Sequence, residues 1–133
     1  MSTFVDTSGL LAVLDRDDGN HSRAAEAWLE ILSSDEILVT TNYILVETFA
    51  LTQSRLGLNA SRVLQEDIVP LIQVRWVDST MHNGAMAILL AASRRKLSLV
   101  DCVSFEVMRM DGIDAAFTLD KHFREQGFTC VPA

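Results

Sequence analysis

Four carboxylates stand apart among the 18 acidic residues of this 133-residue chain: Asp6, Glu47, Asp101 and Asp120. Asp6 follows Phe4-Val5 and Asp120 follows Phe117-Thr118-Leu119, each at the end of a short apolar run. Glu47 lies inside Ile44-Leu45-Val46-Glu47-Thr48-Phe49-Ala50-Leu51. Helical spacing places Tyr43, Ile44, Ala50 and Leu51 three and four positions from it, the make-up of a buried stripe. Asp101 interrupts Leu97-Ser98-Leu99-Val100-Asp101-Cys102-Val103, with Ser104 and Phe105 on its own face. A charge in such surroundings is costly unless paired, and these segments hold almost no Lys or Arg. Gathered at one place, the four would repel one another and raise their pKa values, a conflict that a divalent cation removes. Oxygen-only donors select Mg²⁺ or Mn²⁺, hard ions that keep several waters and bridge to phosphate, whereas zinc wants His or Cys. Metal-assisted chemistry on a phosphate is the implied use.

Three of these residues also have a simpler use. Asp6, Asp101 and Asp120 can each cap a helix that follows; Glu47, in mid-helix, has no such role. Glu106 competes for the site, but Arg109 at i+3 offers it a salt bridge. The other acids, among them Asp15, Asp17, Asp18, Asp35, Glu36, Glu66, Asp67, Asp78 and Glu125, sit in polar turns or at element ends and read as a solvated face.

Positioning the four requires elements that end where they stand. Strands are expected over 3–5, 37–40, 73–77, 115–118 and 128–131. Helices are expected over 7–14, 21–32, from a cap at Asn42 to 56, and from a cap at Asn59 to 68, where Pro70 marks the end. A long helix opens at Ser79 or Thr80 and ends near Arg94-Arg95-Lys96; others run over 100–110 and from Asp120 to about Gly127. Short apolar strands alternating with helices imply an α/β fold with a parallel sheet covered on both faces. In such folds ligands bind beyond the carboxyl ends of the strands, where the connectivity reverses.

The length suits one domain spanning 1–133. Apolar residues at 49% and charged residues at 22% describe an ordinary globular chain and exclude disorder. No apolar run reaches a membrane span, and the N-terminus lacks the features of a secretory signal. Cys102 and Cys130 form no C-x-x-C pair, so free thiols in a reducing cytosol are expected. The net charge of −7 by itself argues against a nucleic-acid partner, unless part of the acidity is gathered to hold cations that then face phosphate.

In order along the chain, Phe4-Val5-Asp6-Thr7-Ser8, Val46-Glu47-Thr48, Leu97-Ser98-Leu99-Val100-Asp101-Cys102 and Phe117-Thr118-Leu119-Asp120-Lys121-His122-Phe123 resemble the PIN-domain nucleases, in particular the VapC-type toxins of toxin–antitoxin pairs. The resemblance spans essentially the whole chain. It implies a PIN-like three-layer α/β/α sandwich with a five-stranded parallel sheet. It also implies a metal site made of Asp6, Glu47, Asp101 and Asp120, with Asp6 and Asp101 the first choices for direct contact, and RNA cleavage that leaves a 5′-phosphate. Ser8 matches the small hydroxyl residue after the first aspartate; it and Ser104 can hold a metal-bound water or simply bond to backbone. His122 matches a common family His, for which packing or capping is the simpler reading. Arg94-Arg95-Lys96 can track an RNA backbone or sit at a helix C-terminus for dipole reasons.

The implied partners are RNA, a second copy of the chain and a small antitoxin, the last set against Leu10, Leu11, Trp28 and Leu32 unless these are core. The alternatives are an RNA-processing nuclease without an antitoxin, a non-catalytic binding module, which would have lost one or more of the acids, and a phosphoacceptor receiver domain. The receiver would need adjacent acids just after the first strand, and Asp17-Asp18 lie too far along. A phosphatase with a D-x-D pair fails at Ser8.

Overall fold

The computed structural model describes residues 1–133. Its strands are β1 (Ser2–Val5), β2 (Ile37–Thr41), β3 (Gln73–Arg75), β4 (Ala115–Phe117) and β5 (Thr129–Val131). The helices are α1 (Thr7–Leu14), α2 (His21–Leu32), α3 (Asn42–Leu56), α4 (Leu58–Val63), α5 (Ser79–Ala92), α6 (Leu99–Asp111) and α7 (Lys121–Glu125). All strand pairs are parallel, in the order β3-β2-β1-β4-β5. The expected α/β fold with a five-stranded parallel sheet between helices is therefore present.

Alternation along the strands divides the core. Phe4 and Ala116 join Ile44, Ala85, Val103, Phe105, Val107, Met108 and Phe123 on one face, so α5, α6 and α7 pack there. Val5, Leu38 and Phe117 face Leu10, Ala24, Trp28, Ile31 and Leu64 on the other, beneath α1 and α2. Gly9 lets α1 lie directly on β4: a Cβ there would stand 2.7 Å from the Phe117 ring and 2.9 Å from its carbonyl oxygen. Leu10 and Trp28 are core residues, which removes them as antitoxin contacts; of that group Leu32 is exposed, as is its neighbour Leu29.

Several boundaries differ from the sequence expectation for local reasons. The α3 cap is Thr41, whose hydroxyl accepts from the Ile44 amide, while Asn42 instead accepts from the Val77 amide and ties α3 to the segment after β3. Asn59 caps nothing: α4 begins at Leu58 after Gly57, whose φ of 94° favours glycine. Beyond α4 the chain continues as a π turn over Leu64–Ile68 and a 3₁₀ turn over Val69–Leu71, and Pro70 fits there because early turn positions need no amide donor. Asp78, not Ser79 or Thr80, caps α5. No helix is long and apolar enough to cross a membrane.

The order β3-β2-β1-β4-β5 grows outward from β1 to β3 and then resumes on the other side at β4. The reversal lies between β1 and β4, where the amide of Asp6 donates to the Phe117 carbonyl at 3.0 Å. Asp6 leaves one of these strands and Asp120 follows the other. This is the place where an open α/β sheet binds its ligand.

Candidate active site

Asp6 is 4% exposed and caps α1. Its Oδ2 accepts from the hydroxyls of Ser8 at 2.7 Å and Thr118 at 2.8 Å. Ser8 Oγ in turn accepts from the Leu119 amide at 2.9 Å, and Thr118 Oγ1 from the Asp120 amide at 3.0 Å. Two hydroxyls thus clamp one carboxylate oxygen and stitch β1 to the chain leaving β4. Burial raises the Asp6 carboxyl to about 6 against the pull of these two bonds, and the charges of Asp101 and Asp120 add to the rise.

Asp101 stands in the first turn of α6, where Ser98 is the cap. The Asp101 amide donates to Ser98 Oγ at 3.1 Å and Asp101 Oδ2 accepts from the Ser98 amide at 3.2 Å, a reciprocal capping box. Burial lifts its pKa too, opposed by the Ser98 amide, with the charge of Asp120 acting upward. Asp120 caps α7 by accepting from the His122 amide at 2.9 Å. His122 Nδ1 lies 2.8 Å from Asp120 Oδ1, but out of line for a hydrogen bond, so this buried nitrogen has no hydrogen-bond partner. Ligand atoms of Asp101, Asp120 and His122 all lie within 4.8 Å of one another.

Glu47 reaches the same cleft, which Asp6, Ser8, Asp101 and Asp120 also line. All four carboxylates singled out in the sequence therefore line one cleft, with Asp101 and Asp120 forming its tight cluster beside His122. The expected reason for Glu47 does not hold. The buried line of α3 is Ile44, Thr48 and Thr52, while Ala50 is exposed, Val46 is 71% exposed and Glu47 is half-buried. The stripe is rotated by one residue, and Thr48 finds partners inside: it donates to the Ile44 carbonyl at 2.7 Å and bonds Thr7 Oγ1 at 3.0 Å. Glu47 borders the core and opens to the cleft.

The supporting residues sort themselves. Ser104 is fully buried and donates to the Val100 carbonyl at 2.9 Å, so it serves the α6 backbone and not a site water. Ser8 has its hydroxyl engaged by Asp6 and Leu119, which makes it an orienting group for the carboxylate. Glu106 pairs with Arg109 at 3.5 Å. The basic trio separates: Arg94 pairs with Glu125 at 3.1 Å, whereas Lys96 lines the acidic cleft together with Arg55. Burial raises both thiols, Cys102 and Cys130, away from the thiolate form a nucleophile needs.

Thr118 and Arg55 do not stand out as site residues in the sequence, whereas Lys96 belongs to the basic trio that can track an RNA backbone. Thr118 carried a usable signal, a hydroxyl at a strand's carboxyl end two residues before a candidate acid. Thr118→Val keeps shape and burial while removing the bond to Asp6; a 10- to 100-fold loss of metal affinity is expected, about the effect of removing a group that orients a ligand. Isothermal titration with Mn²⁺ measures it, and Thr118→Ser should restore most of the loss.

The donor set fits a divalent cation on this geometry. Four acids line one cleft at the end of the sheet, Asp6 and Asp101 are held above their ordinary pKa, and the His122 imidazole stands beside Asp120. Oxygen donors predominate, as hard ions prefer.

Residues 3–128 match the model of the PIN domain. The chain is 32% identical over 129 residues, 96% of either sequence, to the 23S rRNA-specific endonuclease VapC20 of Mycobacterium tuberculosis, in strains CDC 1551 / Oshkosh and ATCC 25618 / H37Rv. It is also similar to the crystal structure of M. tuberculosis VapC20, described as a sarcin–ricin loop cleaving toxin, with a TM-score of 0.85 at 30% identity over 96% of both chains. FitAcB from Neisseria gonorrhoeae shares the fold, with a TM-score of 0.66 at 16% identity over 98% of this chain and 96% of the other. With its parallel sheet ordered β3-β2-β1-β4-β5 and its acids at the β1/β4 reversal, the chain belongs to the PIN-domain family, as a nuclease of the VapC type.

Proposed function

We propose that this nuclease hydrolyses RNA phosphodiester bonds endonucleolytically with Mg²⁺ or Mn²⁺ held by Asp6, Glu47, Asp101 and Asp120, as the toxin of a VapBC-type pair. The observation that carries the reading is the convergence of these four acids, from four separate segments, on one cleft at the β1/β4 reversal. A bound divalent ion there supplies an activated water and neutralises charge developing on the phosphate.

The protein's own residues do the rest. Asp6 and Asp101 are rigid, the first clamped by Ser8 and Thr118 and the second held in its capping box, so they are suited to direct contact with the ion. Asp120 and Glu47 complete the acidic wall. Arg55 and Lys96, on the rim of the same cleft, attract the phosphate chain that the acids alone would repel.

The activity of VapC20 suggests ribosomal RNA, the 23S sarcin–ricin loop first, as the substrate to try. A cytoplasmic site of action, a second copy of this chain and a small antitoxin protein follow from the same reading. Purified protein incubated with ribosomes or total rRNA and Mn²⁺ should produce a discrete fragment, lose the activity in EDTA and regain it when Mn²⁺ is added back. Cleavage that survives EDTA, or intact rRNA at every metal concentration, would overturn the proposal.

A further inference from the structure

A second cleft adjoins the acidic one. Asp120 lines both, so the two lie side by side at the start of α7. Asp120 is the only carboxylate side chain on the second cleft; Arg23, Lys121 and Arg124 supply its charge. Lys121 and Arg124 stand three apart on α7 and share a face. Arg23, from α2, is held in place by Asn20 Oδ1 at 3.1 Å and the main-chain oxygen of Ala133 at 2.8 Å, which leaves further guanidinium donors free.

The distribution of cations gives this arrangement its meaning. Of the eleven Lys and Arg residues, Arg75, Arg94 and Arg109 are consumed in ion pairs. Five of the remaining eight line the two clefts: Arg55 and Lys96 with the acids, Arg23, Lys121 and Arg124 beyond Asp120. A chain with a net charge of −7 thus keeps most of its unpaired positive charge around its own acidic centre. Apart from Arg23, which ties α2 to Ala133, these cations make no side-chain bond within the fold, and they suit a polyanion laid across the acids.

We infer that Arg23, Lys121 and Arg124 form a phosphate-binding subsite for the RNA strand on one side of the scissile bond, with Arg55 and Lys96 holding the strand on the other. The acidic centre then lies midway along a bound strand, which makes cleavage internal and not terminal. This rests on the ribonuclease reading of the acidic cleft and adds the path of the substrate through it.

Salt dependence of RNA binding tests the subsite without requiring cleavage. A fluorescein-labelled single-stranded RNA of mixed sequence is titrated with the full chain over a range of KCl, for wild type, Lys121→Gln/Arg124→Gln and Arg23→Gln/Lys121→Gln/Arg124→Gln. Each lost phosphate contact lowers the slope of log K against log[salt] by about 0.7, so the double variant should lose about 1.4 and the triple about 2. Arg16→Gln/Arg62→Gln, which removes two cations that line neither cleft, should leave the slope unchanged. In Mn²⁺ cleavage assays the triple variant should show a raised KM at little changed kcat. The double variant guards against misfolding caused by losing the Arg23 anchor, and thermal melts of every variant check it directly. A slope unchanged in both cleft variants, with EDTA-sensitive cleavage retained, overturns the subsite and leaves the nuclease reading standing. No binding and no cleavage by wild type overturns both.

Discussion

Asp101→Asn is expected to lower the rate of RNA cleavage in saturating Mn²⁺ by at least about a thousandfold, on the order of 4 kcal/mol of transition-state stabilisation. Asparagine keeps the size of the side chain and an oxygen that can still accept from the Ser98 amide, so the capping box survives in large part. What changes is a charge in the cleft that Asp6 feels and that itself feels Asp120. Loss of activity should therefore come with a loss in stability no larger than the weakening of one cap, about 1 kcal/mol. Ser98→Ala is the useful comparison. It removes the hydroxyl that accepts from the Asp101 amide while leaving the carboxylate in place, so it should cost stability more than activity. Single-turnover cleavage rates beside thermal melts separate the two effects. An Asp101→Asn protein with more than a tenth of wild-type activity would sink the assignment of this residue to the metal.

Asp6→Asn should stabilise the metal-free protein near neutral pH while removing its function. The Asp6 carboxyl rises from 3.8 to about 6, chiefly because burial penalises its charged form. The native state then holds a proton that the unfolded chain has already released. The stability this group contributes is full below pH 3.8 and is lost as the pH climbs through about 6. A shift of about two pKa units corresponds to roughly 3 kcal/mol, so near pH 7.5 the ionised Asp6 weighs against the metal-free fold by about that amount. Asparagine carries no charge to bury, and the variant should melt several degrees above wild type near pH 7.5, an advantage that vanishes near pH 4. Metal reverses the order. Mn²⁺ at about a thousand times its Kd adds about 4.1 kcal/mol to the wild type, more than the roughly 3 kcal/mol deficit, and the variant should gain far less. Scanning calorimetry at the two pH values, with and without Mn²⁺, reads all four corners. Identical pH dependence for the two proteins would show that Asp6 is not the group whose charge the fold resists. The expected pattern is that of a site which stores strain for its ligand at the expense of the empty fold.

Thr118 and Glu47 mark where the sequence was and was not legible. The strands and helices could be read because apolar alternation, helical periodicity and turn residues act over a few positions. Asp6 and Asp120 could be placed for the same reason, as acids that end apolar strands and cap the helices that follow. Their capping roles and their place in the cleft are compatible, since one carboxylate oxygen can serve an amide while the group still faces the cleft. The apolar neighbourhood expected for Glu47 is not the one the fold supplies: the buried face of α3 is decided by α1 and α6 packed against it, and it runs through Ile44, Thr48 and Thr52, with Thr48 bonded to Thr7. The residue belongs to the cleft, but for its position on the rim and not for burial.

By itself, then, the sequence determined the α/β class and the order of the elements, because these rest on short-range periodicity, and it singled out four acids as site candidates. The tertiary structure alone decided that they meet. Only the strand order brings β1 beside β4, so that Thr118 reaches Asp6 across 112 positions and two hydroxyls hold one carboxylate oxygen. It alone decided which cations remain unpaired and where they gather, since ion pairing depends on surfaces formed by elements far apart in the chain. The physical reason is the same throughout: local conformation is written in neighbours along the chain, whereas burial, desolvation and charge coupling belong to neighbours in space.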